Sequence, residues 1–123
     1  MLAALAVAAA CAAWHGQATG PYLGEVQSAG PKAIDTWITE GPGGALSGTY
    51  VLHEPDRDVR GTLDPLGDDG CDAALFRWTD VYGAGTARLR FFPQAHCFEG
   101  EWGLGQPQPQ LTWRSCARTP VTS

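Results

Sequence analysis

The residues best suited to chemistry in this chain form the run Trp78-Thr79-Asp80-Val81-Tyr82-Gly83-Ala84-Gly85. Trp78 and Tyr82 flank a carboxylate, so broad apolar rings and polar handles come together in the combination that stacks on a sugar or grips a peptide. The same residues also have a structural use. A short Asp side chain accepts the backbone N–H groups of a tight turn that Gly83 and Gly85 permit, while Trp78 fills a core. The three histidines, His15, His53 and His96, stand in no G-x-S-x-G setting or comparable nucleophile motif. Acidic residues gather twice, as Glu54, Asp56 and Asp58 and as Asp64, Asp68, Asp69 and Asp72. The second group could supply some of the oxygen ligands calcium needs, but it lacks the loop spacing of the helical calcium-binding hand.

Four cysteines occur, Cys11, Cys71, Cys97 and Cys116. No C-x-x-C pair is present, and His96 and Cys97 point to opposite faces of an extended chain, so the expectation is no metal and no cofactor. If the last two strands form a hairpin in which Trp102 faces Leu111, the same register sets Cys97 directly opposite Cys116, close enough for a disulfide. A bridge from Cys71 to either of these is the competing arrangement, and the cysteine left over is expected to be an inert buried thiol.

Positioning these residues requires a scaffold, and the pattern is that of strands. Alternating runs separated by turn residues predict strands near Tyr22–Gln27, Ala33–Thr39, Leu46–His53, Val59–Leu63, Ala74–Asp80, Thr86–Phe92, Cys97–Gly103 and Gln110–Cys116. No stretch reads as a helix. The period of two assigns Leu46, Tyr50, Leu52, Val59, Leu63, Phe76, Trp78, Ala87, Leu89, Phe91, Phe98, Trp102, Leu111 and Trp113 to the interior. Ser47, Thr49, Arg60, Thr62, Arg77, Arg88, Arg90, Glu99, Glu101 and Arg114 face water. The fold class is therefore all-β, an antiparallel up-and-down meander of about eight strands that closes into a small barrel and so removes its edges. A two-sheet sandwich would show the same alternation, and pairing of the first and last strands distinguishes the two. Interior glycines beside large rings let an aromatic cross a narrow barrel, which favours a filled core over a ligand cavity. Alternation also leaves Trp37 on the face opposite Ile34 and Ile38, so Trp37, Tyr82 and Trp14 join Trp78 and Asp80 as residues that could reach a ligand.

At 123 residues the chain has room for one core. A net charge of -5 with scattered arginines gives no footprint for nucleic acid. Residues 1–13, MLAALAVAAACAA, read as a signal peptide too short to span a bilayer, although no Lys or Arg precedes the apolar stretch. A buried N-terminal helix is the alternative. Two cleavage readings stand side by side: a small-x-small site near Ala10–Ala13, or a lipoprotein-type site before Cys11, which would place a lipid anchor there. Residues 14–21 then form a flexible linker, 22–118 the barrel, and 119–123 a disordered tail.

The Trp78–Gly85 run, the alternating Leu89-Arg90-Phe91, the segment Phe98-Glu99-Gly100-Glu101-Trp102-Gly103 and the closing Trp113 resemble a pattern of uncharacterised bacterial secreted small β-barrel proteins with W-x-D-x-Y-G-x-G and F-x-G-x-W-G motifs. Tyr22–Glu25, Gly44–Tyr50 and Arg60–Leu63 look like the same hairpin-by-hairpin design. The resemblance implies a small β-meander and carries no activity. The expected function is that of an exported envelope or extracellular module, binding or structural, without catalysis, its partner a small molecule, glycan or protein. The alternative is a small hydrolase-like or calcium-dependent activity at the barrel rim.

Overall fold

A computed structural model describes residues 14–117 of the chain. The signal segment with Cys11, residue 118 and the tail 119–123 lie outside the described residues. The strands are β1 (Gly20–Gln27), β2 (Pro31–Glu40), β3 (Leu46–His53), β4 (Asp58–Asp68), β5 (Ala73–Asp80), β6 (Gly83–Phe92), β7 (Cys97–Gly103) and β8 (Thr112–Ala117). Each pairs antiparallel with the next, and β1 pairs with β8 from Tyr22↔Ala117 to Val26↔Trp113. The sheet is therefore a closed barrel in simple sequence order, and the sandwich alternative is excluded.

The two ends of the barrel differ. At one end lie the connections after β2, β4 and β6, and this end is closed. Residues 14–18, where the sequence reads as a linker with no helix, are helical. Trp14 and Ala18, one turn apart on one helix face, are buried at the barrel end. Trp14 is thus a core residue and not one placed to reach a ligand, as the sequence suggested; five helical residues are too few for periodicity to register. Its ring stands 5.7 Å from Phe91. The Tyr22 hydroxyl donates to the Ala18 carbonyl at 2.7 Å, and burial pushes that phenol up to about 12. His15 ties the segment down from outside, with Nδ1 donating to the Gly44 carbonyl and Nε2 lying 2.7 Å from Asp68 Oδ2.

The Cys97–Cys116 disulfide lies at this closed end, between residues directly opposite in the β7–β8 register. Cys71, in the β4–β5 connection, is disulfide-bonded as well, so the expectation of an inert thiol is overturned; no described cysteine is free. Disulfides persist in oxidising compartments, which points to a non-cytoplasmic setting for the folded chain. Among the described residues no helix is long and apolar enough to cross a membrane.

From the plug an aromatic column runs along the barrel interior. Trp14 meets Phe91, Phe91 meets Phe98 at 5.5 Å, Phe98 meets Trp113 at 6.0 Å, and Trp113 meets Tyr50 edge-on at 5.4 Å. Such tilted and edge-to-face pairs suit the ring quadrupoles as well as burying area. The interior positions read from alternation are buried, except that Trp102 and Leu111 are half-buried. Thr36 and Ser115 are interior positions that carry a hydroxyl with no hydrogen-bond partner among the described residues.

Candidate functional site

The end holding the connections after β1, β3, β5 and β7 opens into a cavity of about 170 Å³. The column ends at Trp113 and Tyr50, which line this cavity, so the interior is not filled to this end as the alternation had suggested. Tyr50, Trp78, Trp102 and Trp113 wall the cavity with Val26, Ile34 and Leu52, and Tyr82, Leu104 and Asp80 stand toward its rim.

The hollow exists because the rings around it are held to the wall. Trp78 Nε1 donates to the Gly103 carbonyl at 3.0 Å and Trp102 Nε1 to the Gln27 carbonyl at 2.9 Å. Their planes cross nearly at right angles, with centroids 5.6 Å apart. Each indole thus satisfies its only donor on a carbonyl two strands away around the barrel and cannot swing to the axis without leaving it unpaired. Trp113 Nε1 has no acceptor among the described residues and is sealed from solvent. Tyr50 reaches its place because β4 carries Gly61 opposite it: a Cβ there would lie 2.0 Å from Tyr50 Cζ, so only a bare backbone lets the phenol pass.

Asp80 is positioned by the β5–β6 turn. Asp80 pairs with Gly83, whose φ of +135° suits glycine, and Asp80 Oδ1 accepts the Tyr82 backbone N–H at 2.8 Å. The turn-stabilising role expected of this carboxylate is therefore present. Its second oxygen has another use: Tyr50 of β3 donates to Asp80 Oδ2 at 2.6 Å, reaching over β4. Burial raises the Tyr50 phenol above its ordinary range, with the Asp80 hydrogen bond and charge adding to the effect.

A second network holds the rim. The Tyr82 hydroxyl donates to Glu54 Oε1 and accepts from Arg57 Nη2 at 2.9 Å, and the Arg57 guanidinium lies 5.4 Å from the Tyr82 ring centroid. Lys32 Nζ pairs with Glu54 Oε2 at 2.8 Å. Lys32, then Tyr82, hold the Glu54 carboxyl below its ordinary range, and the hydrogen bond to Tyr82 raises Arg57. Both cations are thus satisfied at the rim by Glu54 and Tyr82. Val81, Tyr82 and Leu104 are exposed at this end of the barrel.

Of the residues singled out from the sequence, Trp78, Asp80 and Tyr82 meet at this mouth. Trp37 does not. It lies on the outer wall, between Pro21 of β1 and Thr49 of β3, and is 41% exposed. Sequence reasoning assigned Tyr50, Trp102 and Trp113 to a filled interior and missed them as site residues. The available signal was position: Trp102 is an interior-face ring next to the last residue of its strand, beside the longest connection. The acidic groups are dispersed. Asp68 meets His15, Asp69 meets Arg88 at 2.6 Å, and Asp72 meets Arg90 at 3.5 Å. Among the described residues no three His, Cys, Asp or Glu side chains converge where a metal ion could sit.

On the outer wall His53 lies between two carboxylates, with Nδ1 2.9 Å from Asp58 and Nε2 3.3 Å from Asp35. The hydrogen bond to Asp58, then that to Asp35, raise its pKa. Because the folded pKa exceeds the unfolded one, this stabilisation is complete below the unfolded pKa and disappears as pH rises through the folded pKa. In urea melts across pH, His53→Gln is expected to lower stability at pH 5 and to match the parent once pH exceeds the raised pKa. An equal loss at all pH values would show that the ring packs and does not pair.

No family model, curated protein or solved structure matches the chain.

Proposed function

We propose that this chain is an exported binding module, periplasmic, membrane-tethered or extracellular, that works without catalysis and takes a small molecule head-first into its open mouth. The observation that supports this reading is the asymmetry of the barrel: one end is stoppered by Trp14, and the other holds a preformed aromatic cavity whose rings are hydrogen-bonded to the wall. A closed eight-stranded barrel is just wide enough for side chains to fill or to admit one small ligand. Size sets the class further. Drug-sized ligands occupy roughly 300–1,000 Å³, whereas an apolar cavity of about 150 Å³ takes up benzene. At about 170 Å³ the mouth accepts a single ring-sized group, and the rest of the ligand lies against Tyr82 and Leu104.

Toluene is the simplest probe, read by the indole N–H resonances of the five tryptophans in a ¹H–¹⁵N spectrum. The resonances of Trp78, Trp102 and Trp113 are expected to shift saturably, while Trp14 and Trp37 stay still. Five equal, unsaturated shifts, or none at the mouth, would overturn the reading.

A further inference from the structure

We infer that the group entering the mouth is the methylated ammonium head of an organic monocation. This rests on the binding reading above and identifies its ligand class. The cavity is walled by π-systems, from Tyr50, Trp78, Tyr82, Trp102 and Trp113, and among the described residues Asp80 is the only charged side chain that lines it. A cation against aromatic faces is attracted by their quadrupoles, most strongly to Trp and most effectively where water is excluded. A single carboxylate at the same point adds charge complementarity, and the chain's net charge of -5 works in the same direction at longer range. The nearest protein cations lie outside the described lining and are paired, Lys32 with Glu54 and Arg57 with Glu54 and Tyr82; Arg57 already covers the Tyr82 ring, so the cation is received by Tyr50 and the three indoles.

The hydrogen-bond inventory selects the kind of cation. A primary ammonium brings three N–H donors that must each find an acceptor once water is lost. Here each Asp80 oxygen already accepts one bond, from Tyr50 and from the Tyr82 backbone, which leaves one lone pair on each, and outside the two tyrosines the Ser28 hydroxyl is the other side-chain oxygen of the described lining, so acceptors for three N–H groups are few. The indoles of Trp78 and Trp102 are donors whose acceptors are backbone carbonyls of the wall. A trimethylammonium head has no donor to satisfy, presents a spread positive charge to the rings, and matches a cavity that admits one ring-sized group.

The test compares (2-hydroxyethyl)trimethylammonium with its uncharged isostere 3,3-dimethylbutan-1-ol, titrated against the full chain at low salt with the three mouth indoles as readout. The cation is expected to bind about tenfold more tightly than the isostere, the scale of a desolvated cation–π contact. Asp80→Asn should narrow that ratio by weakening the cation alone, the part that remains being the contribution of the rings. Tyr50→Phe removes the hydrogen bond to Asp80 Oδ2 but keeps the carboxylate and the ring, so whatever it does to both affinities it should leave the cation preferred, and the pair separates lost charge from a lost hydrogen bond. Equal binding of cation and isostere to the parent would overturn the cation assignment and leave the mouth as a neutral apolar site. Failure of both, together with toluene, would remove the binding reading itself.

Discussion

Replacing Phe98 with alanine is expected to destabilise the barrel by about 3–5 kcal/mol, the range for removing a buried aromatic ring. Phe98 is fully buried and stands at the middle of the aromatic column, 5.0 Å from Tyr22, 5.5 Å from Phe91 and 6.0 Å from Trp113. Closed strands cannot move inward to fill the space, because every edge is already hydrogen-bonded to a neighbour. The void therefore persists and its lining loses contact energy outright. A domain of this size is stable by about 5–15 kcal/mol in total, so much of the margin disappears. Urea unfolding followed by tryptophan fluorescence measures the loss; a change below 1 kcal/mol would mean that the column relaxes around the gap. The mouth should feel the substitution too, since Trp113 rests on Phe98 from below.

The second large effect is that of the Cys97–Cys116 bridge. Replacing both residues with alanine together should lower stability by about 3 kcal/mol, the loop-closure value for a bridge of this sequence separation. The double variant avoids leaving one thiol to exchange with the Cys71 disulfide. Because the bridge ties β7 to β8 at the plugged end, the toluene shifts of Trp78, Trp102 and Trp113 are expected to survive it at temperatures where the barrel is folded. Loss of those shifts in a folded variant would show that the two ends are coupled.

The contrast between these ends explains what could be read in the chain. Strand identity was legible because period-two alternation puts Leu46, Tyr50 and Leu52 on one face and Ser47 and Thr49 on the other, and the pleat permits no other assignment. The Cys97–Cys116 pairing was legible for a related reason: one hairpin register determines every partner across it. The helical plug was not. Trp14 and Ala18 form a one-turn face only because a barrel end is there to receive them, and five residues carry no pattern of their own.

The mouth lies between these cases. The Asp80 turn could be read locally, since an Asp followed by glycines is turn chemistry whatever surrounds it. That Tyr50, thirty residues away, would reach Asp80 Oδ2 depends on closure of the sheet and on the bare backbone at Gly61. Nor does composition say whether three indoles pack at the axis or stand against the wall. For two of them that is decided by whether a carbonyl two strands away around the barrel, Gly103 for Trp78 or Gln27 for Trp102, comes within reach of the ring nitrogen. By itself, then, the sequence determined the eight strands, their inward faces, the turn at Asp80 and the last hairpin's register, because each is set by neighbours along the chain or directly across one turn. Only the tertiary structure decided that the barrel closes, that Trp14 stoppers one end and that the other stays hollow, because each depends on groups far apart in sequence competing for the same few ångströms of interior.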